Sequence, residues 1–199
     1  MPRRPEQFKA IREKSREKIL GAALQLFAYN GYDATSIDSI AKKAGVSKGL
    51  IYNYFESKKD ILLAIFGEAM KMGEEMVMGE KDTSDPYERK RGMVNRVFDA
   101  LRNEPEYMKL LTVMSLQPGV MDEAKAFTRE AYKKSKEWSG VLTGKTGRKA
   151  WIEALMMGTL MDGITLNYIL YGKQFPLEAL RKEIIKVYCT PPAKAKKKG

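Results

Sequence analysis

The chain has 199 residues and a formal net charge of +11, with 36 Lys and Arg against 25 Asp and Glu, and 44% of its residues are hydrophobic. It contains no histidine and a single cysteine, Cys189, which excludes a disulfide framework, a Cys/His zinc site and catalysis that depends on imidazole. This composition indicates a folded protein with an anionic partner, either nucleic acid or a membrane surface.

The positive charge is concentrated at the two ends of the chain. Residues 1–60 carry 12 basic and 7 acidic side chains, and residues 191–199 carry four lysines and no acid. We expect 1–15 to form a basic arm, which either contacts DNA or extends the first helix, and 191–199 to be a disordered basic tail. Charged residues interrupt the start of the chain and the lone thiol suits a reducing compartment, so the sequence predicts a cytoplasmic protein without a signal peptide.

Helical periodicity is found along nearly the whole chain. Three short helices are predicted first, at 16–29, after a Thr35 cap and after a Ser47 cap. Thr35 has a capping-box partner in Asp38, and Gly45 is expected to end the second helix because glycine readily takes the left-handed conformation. The third helix is expected to run to Phe55.

Six further helices are predicted: from Ser57 to Met78, from Pro86 to Asn103, at 106–116, at 121–138, at 148–171 and from Pro176 to Tyr188. Polar or glycine-rich loops are expected at 79–86 and 140–147. The total is about nine helices with no confident strand, so the fold class is all-α. The predicted domains are a three-helix DNA-binding domain at 16–60 and a helical ligand-binding and dimerisation domain at 61–190.

The longest apolar stretch, 151–172, is nearly long enough to span a bilayer, but it contains Glu153, Asp162 and Asn167. A buried or interface helix is therefore the better interpretation, and no membrane partner is expected. Helices 148–171 and 176–188 are the best candidates for a four-helix seam between two copies of the chain.

The two helices around Gly45 match a helix-turn-helix, in which the second helix enters the major groove of DNA. The apolar residues of the motif face inwards, which leaves five residues facing outwards: Ser47, Lys48, Gly49, Tyr52 and Asn53. Lys48 can donate to guanine or to a phosphate, and Asn53 can bond adenine. Gly49 allows a close approach to the bases.

Residues that flank the motif have two interpretations each. Thr35 and Lys58 begin helices, where backbone N–H groups favour a phosphate, although Thr35 would cap a helix in any protein and Lys58 could be a solvated charge. Tyr54 either contacts DNA or packs in the core.

Residues 18–62, "KILGAALQLFAYNGYDATSIDSIAKKAGVSKGLIYNYFESKKDIL", resemble the N-terminal DNA-binding domain of the TetR family of bacterial transcriptional regulators. The resemblance implies an all-helical homodimer that binds a palindromic operator, usually as a repressor, and that a small ligand in the C-terminal domain releases. It also implies DNA contacts by Lys48, Gly49, Tyr52 and Tyr54, with Thr35 and Lys58 on phosphates. Asp38 departs from the pattern, because some relatives read a base there with arginine.

The ligand pocket is predicted only in outline. Twelve methionines indicate an adaptable interior. The candidate lining residues are Met93, Phe98, Tyr107, Met114, Trp138, Met157, Asp162 and Tyr168. Each could instead pack the core, and Asp162 could hold a ligand or pair across a dimer interface.

The sequence thus predicts a ligand-responsive, dimeric DNA-binding repressor whose two recognition helices lie about 34–36 Å apart on an inverted repeat. An activator or a ligand-blind regulator of the same fold remains an alternative, and a basic membrane-surface protein is a less favoured one. We predict no enzymatic activity, no cofactor and no metal, since neither a histidine nor a nucleophile–base pair is present.

Overall fold

The structure is a computed structural model that describes residues 5–79 and 84–191. Within those ranges the chain forms ten α-helices, one short 3-10 turn at Gly172–Gln174 and no strand, which confirms the all-α prediction. The helices are α1 (Pro5–Asn30), α2 (Ile37–Ala44), α3 (Lys48–Tyr52), α4 (Lys58–Met78), α5 (Pro86–Asn103), α6 (Pro105–Ser115), α7 (Pro118–Glu123), α8 (Lys125–Thr143), α9 (Gly147–Tyr171) and α10 (Leu177–Tyr188). Residues 1–4 of the predicted arm, 80–83 of the predicted loop and 192–199 of the predicted tail lie outside the described residues.

The helices form two compact units. Unit 1 comprises the described residues up to Met70 together with 109–129, and unit 2 comprises 71–108 and the described residues from Glu130 onwards. Unit 1 therefore contains α1–α3, all of α7 and most of α4. Unit 2 contains α5, α9 and α10. Segment 109–129 of unit 1 begins within α6 and ends within α8, so each of these two helices is divided between the units.

Unit 1 has an aliphatic core built on one side of α1. The fully inaccessible side chains there include Ile19, Phe27, Ile40, Ile51, Ile61 and Leu62. These residues recur at helical spacing in α1 and α4, and α2 and α3 each contribute one of them. Because helices as short as α2 and α3 are not stable alone, this shared core is what holds them in place.

The start of α2 differs from the prediction. Thr35 is buried, and its hydroxyl donates to the carbonyl of Gly31 at 2.7 Å. Ser36 is the N-cap instead, since its Oγ accepts from the backbone N–H of Ser39 at 3.2 Å and the Ser39 hydroxyl oxygen accepts in return from the Ser36 N–H. The predicted cap at Thr35 is therefore wrong, because that hydroxyl satisfies a carbonyl left free at the end of α1.

Three helix boundaries also differ from the prediction. Helix α1 begins at Pro5, so the described part of the predicted arm extends this helix. Helix α3 ends at Tyr52 rather than Phe55. Helix α8 continues to Thr143, through much of the predicted 140–147 loop, because Leu142 and Thr143 are buried there and Gly140 alone does not break a helix.

Unit 2 has its own core between α5, α9 and α10. Its largest fully buried side chains come from α5, including Phe98 and Leu101, and Ile184 of α10 joins the same cluster. Two polar contacts tie these helices together. Arg181 of α10 donates to Asp99 of α5 at 3.0 Å, and the buried Lys90 of α5 is paired with Glu153 of α9.

Candidate nucleic-acid interface and ligand cavity

The turn between α2 and α3 is set by Gly45. This residue has a φ of 67°, a left-handed conformation that favours glycine. Its N–H is directed to the carbonyls of Ala41 and Lys42, and the N–H of Val46 donates to Ala41 at 3.0 Å. These bonds close α2 with a tight turn, so that α3 starts only three residues later.

Helix α3 presents a polar surface beside a buried anchor. Ser47 caps it by accepting from the N–H of Leu50 at 3.1 Å, and Ile51 is fully buried in the core of unit 1. The residues that were predicted to face outwards are all exposed: Ser47, Lys48, Gly49, Tyr52 and Asn53. A Cβ added at Gly49 would meet no atom within 4 Å, so the surface is open at this point.

Lys48 is not a free cation in this surface. Its Nζ donates to Oδ2 of Asp38, on α2, at 3.0 Å, and both side chains are well exposed. The hydrogen bond to Asp38 and its negative charge raise the pKa of Lys48 above the usual value. Lys48 therefore stays protonated, and it reaches DNA only by sharing or leaving this partner.

The three flanking residues have internal partners. Thr35 is buried and bonded to Gly31, so its hydroxyl does not reach the surface. Lys58 donates to the carbonyl of Tyr32 at 2.7 Å, and its ammonium lies 4.4 Å from the centre of that ring. Tyr54 is half-buried with the guanidinium of Arg12 over its ring at 5.4 Å. The backbone N–H of Thr35 also has a partner, since it donates to the carbonyl of Tyr32 at 3.2 Å. A phosphate contact at Thr35 or at Lys58 therefore needs a change of partner.

Gln117, just before α7, holds the end of α1 in unit 1. Its Nε2 donates to the carbonyl of Phe27 at 2.6 Å, and its Oε1 accepts from the N–H of Tyr32 at 2.9 Å. The amide thus satisfies both a carbonyl and an N–H where α1 gives way to the loop before α2. Sequence reasoning missed this residue, because a single glutamine 90 positions away carries no local signal.

Unit 2 contains a cavity of about 330 Å³. Residues of α4, α5, α8 and α9 line it, and all of those from α4 lie beyond Met70, within unit 2. A volume of this size is at the lower end of the range for small-molecule sites. The lining is largely apolar, with Met76, Met93 and Met161 among the residues that face it.

The cavity includes only some of the residues that the sequence predicted. Met93, Trp138 and Asp162 line it. Phe98 and Met157 instead belong to the core cluster of unit 2, and Tyr168 packs against that cluster. Met114 is fully buried and lies in unit 1, and Tyr107 is not among the lining residues of the described chain. These five positions have the residue types of a ligand pocket, but their side chains do not line the cavity.

Helix α9 contributes most to the cavity through one face that sequence reasoning did not identify. Trp151, Ala154, Leu155, Gly158 and Met161 recur at helical spacing and all line it. The periodicity was visible in the sequence. It could not distinguish this face from the equally apolar face next to it.

A second stripe of α9 is exposed. Small or apolar residues recur there at alternating intervals of four and three: Ile152, Met156, Thr159, Gly163, Leu166 and Leu170. The large members are well exposed, with Leu170 at 67% and Met156 at 60%. This spacing is typical of a helix that packs against another helix, and Val187 on α10 is also exposed, at 64%.

Residues 5–79 and 84–191 contain no helix that is both long and apolar enough to cross a membrane. The same residues contain no group of Cys, Asp and Glu side chains that could hold a metal ion.

The sequence model of the bacterial regulatory proteins of the tetR family matches residues 19–65. Over these residues the chain resembles the TetR family. The match begins in α1, includes the whole α2–turn–α3 segment and ends within α4. The chain is also similar to the fatty acid metabolism regulator protein of Bacillus subtilis strain 168, with 43% identity over 68 residues. That alignment covers 34% of this chain and 34% of the relative, so the chain spans about a third of the relative's length.

Solved structures share the all-α fold of this chain over most of its length. The fatty acid degradation regulator FadR from Bacillus halodurans superposes with a TM-score of 0.69 at 21% identity, over 96% of this chain and 98% of that one. FadR from Bacillus subtilis in complex with stearoyl-CoA superposes with a TM-score of 0.63 at 24% identity, over 85% of this chain and 95% of that one. At these identities the likeness establishes the fold.

Proposed function

We propose that this protein is a dimeric, sequence-specific DNA-binding transcriptional regulator of the cytoplasm that a small molecule controls, most simply a repressor that the ligand releases from an inverted-repeat operator. The observation that carries the proposal is the exposed N-terminal part of α3, directly after the left-handed turn at Gly45. Residues 47–49 begin a helix whose free N–H groups and exposed side chains suit a phosphate backbone and base edges.

The exposed stripe of α9 supports the dimer. Leu166 and Leu170 are large apolar residues that water covers in a single copy, and Gly163 would allow a close approach of a second helix. A second copy of the chain would bury the stripe by a two-fold contact, with α10 alongside it. Such a dimer brings two α3 helices to the two halves of an inverted repeat.

The cavity of unit 2 supports control by a ligand. An apolar space with a few polar groups in its lining is the usual form of a small-molecule site. The structure of B. subtilis FadR with stearoyl-CoA supports the view that this fold can accommodate such a ligand. A ligand can release DNA only if it binds more tightly to the conformation that does not fit the operator. A ligand that binds more tightly to the conformation that fits the operator would instead give an activator.

The proposal is tested by selecting bound DNA from a random pool, followed by footprinting on the selected sequence. We expect a protected inverted repeat of two half-sites. Lys48→Ala should weaken binding to the selected site by about 10- to 100-fold if Lys48 reads a base. If Lys48 contacts only a phosphate, all sequences should weaken alike, and the slope of the salt dependence should fall by about one unit.

The matched control is Lys133→Ala, which removes the same charge from an exposed position on α8. This variant should bind the selected site as the wild type does. Binding that ignores sequence at moderate salt, or equal losses in the two variants, would contradict the proposal.

A further inference from the structure

The cavity of unit 2 has one charged residue in its lining, Asp162. No lysine or arginine of the described chain lines it. The carboxylate of Asp162 forms no hydrogen bond and no ion pair with any described residue. Asp162 is exposed as a residue, yet desolvation by the surrounding protein raises the pKa of its carboxyl group. An unpaired carboxylate in such surroundings is unfavourable until a cation reaches it.

Two indole rings line the same cavity. They belong to Trp138 on α8 and Trp151 on α9, and the Nε1–H of Trp151 is buried without an acceptor among the described residues. The face of an indole attracts a positive charge more strongly than any other aromatic side chain does. Methionines at 76, 93 and 161 give the remaining wall an adaptable apolar surface.

We propose that the ligand of this cavity is an apolar organic cation, such as a quaternary ammonium ion or a protonated hydrophobic amine. Its positive centre would lie beside Asp162, and its apolar body would pack against Trp138 and Trp151. This inference rests on the proposed role of the cavity as the effector site. It gives that effector a chemical class, one opposite in charge to the acyl-CoA that accompanies B. subtilis FadR.

Charge decides between this ligand and an anionic one. An anionic head group placed in the cavity would meet an unpaired carboxylate and no lining cation, so Coulomb repulsion would oppose its binding. Binding of an anionic ligand would depend on Lys136, whose Nζ lies 5.4 Å from the centre of the Trp151 ring. Lys136 is not part of the lining of the described chain, whereas Asp162 is.

The experiment compares three probes of one shape on the intact protein. They are the naphthylmethyl-trimethylammonium ion, its neutral isostere in which carbon replaces nitrogen, and naphthylacetate as the anion. Isothermal titration calorimetry measures the affinity of each probe, because naphthyl emission overlaps the emission of Trp138 and Trp151, the two tryptophans of the whole chain. We expect the cation to bind at least about tenfold more tightly than the neutral isostere, and the anion to bind least.

The decisive variant is Asp162→Asn, which keeps the shape of the side chain and removes its charge. It should lose the preference for the cation over the isostere and bind the isostere as the wild type does. Glu137→Gln is the matched control, because it removes one negative charge from an exposed position next to Trp138 without touching the lining. This control should keep the preference. Thermal melting checks that both variants fold, and Asp162→Asn should melt no lower than the wild type, since it removes a desolvated charge.

Three outcomes would overturn the inference: equal affinity of the wild type for the cation and its isostere, tighter binding of naphthylacetate or stearoyl-CoA than of the cation, or an unchanged preference in Asp162→Asn. A shift of the monomer–dimer equilibrium in Asp162→Asn with unchanged probe affinity would also overturn it, by assigning Asp162 to the dimer contact.

DNA release is measured separately, by adding the cation to the complex of the protein with its selected operator. If the cation binds in an Asp162-dependent way but releases no DNA, the ligand inference stands and the proposed control by ligand fails. If an anionic or neutral ligand releases DNA while the cation does not bind, the proposed function stands and the inference fails.

Discussion

At the scale of single residues, Lys48 illustrates how a predicted DNA contact depends on its partner. Its ammonium is 3.0 Å from the carboxylate of Asp38, so part of its charge is already neutralised before DNA arrives. Asp38 also places a negative charge beside the surface that would meet phosphates. The pair therefore lowers attraction for DNA in general, while leaving Lys48 in place for a base that can replace Asp38 as its partner.

Asp38→Asn tests this role of the pair. The change frees the charge of Lys48 and removes a repulsive one, so binding to unrelated DNA should tighten at low salt. The slope of log K against log salt concentration should steepen by about one unit, because one more counterion is released. The discrimination between the selected site and unrelated DNA should fall. Band-shift titrations on both DNAs across a range of salt concentrations measure these quantities.

The control is Asp122→Asn, the same change on an exposed acid of α7 that is paired with Lys125 at 2.7 Å. It should leave the salt slope and the discrimination unchanged. A wild-type slope in Asp38→Asn would show that the Lys48–Asp38 pair is already broken in solution.

Residue types alone could not distinguish Lys48 from Lys58 or Thr35. All three were predicted on the DNA side, and Lys48 alone of them is exposed with its head group at the surface. The ammonium of Lys58 and the hydroxyl of Thr35 are engaged by carbonyls around the end of α1. Those carbonyls are unsatisfied because a helix ends there, a fact of tertiary packing that the local sequence does not record.

At the scale of helices, the two glycines of the helix-turn-helix have different roles. Gly45 has a positive φ and open space around it, so glycine is required there for its backbone conformation and not for lack of space. Gly49 lies within α3 without a positive φ, and it also has open space around it. A side chain at position 49 would contact nothing inside the protein. We therefore expect any requirement for glycine there to come from contact with DNA.

Alanine at each position should therefore give opposite results. Gly45→Ala should lower the free energy of unfolding by about 1–2 kcal/mol, because an L-residue is strained at this φ. Gly49→Ala should leave stability unchanged or raise it by up to about 1 kcal/mol, and yet weaken operator binding. Urea denaturation and footprinting of both variants measure the two effects. A stable Gly49→Ala variant that binds the operator normally would remove Gly49 from the predicted interface.

The helices themselves were largely predictable, and the use of their faces was not. The predicted 148–171 helix is α9 to within a residue, because its periodicity and the following Gly172 are local signals. Apolar residues surround this helix, so one stripe, with Trp151 and Gly158, lines the cavity and another, with Leu166, faces water. Periodicity identifies apolar faces but not what each face packs against. For this reason the sequence could not decide whether Asp162 contacts a ligand or a second copy of the chain.

At the scale of the whole molecule, affinity for an inverted repeat depends on two copies acting together. One head contacts only half of the operator, and linking two heads multiplies affinity by about a hundredfold or more. The exposed stripe of α9 is the contact on which this coupling would depend. Leu166 lies in the C-terminal half of this stripe, and its large side chain is 43% exposed in a single copy.

Leu166→Glu should therefore separate the two copies without unfolding either. A charge within an apolar helix contact is poorly solvated and has no partner there, so sedimentation should show a monomer at concentrations where the wild type is a dimer. Operator affinity should fall by about a hundredfold or more, while circular dichroism stays unchanged. Ala126→Glu, which adds the same charge at an exposed position of α8 outside the stripe, should remain dimeric and bind normally. A dimeric Leu166→Glu variant with full operator affinity would move the contact to another face.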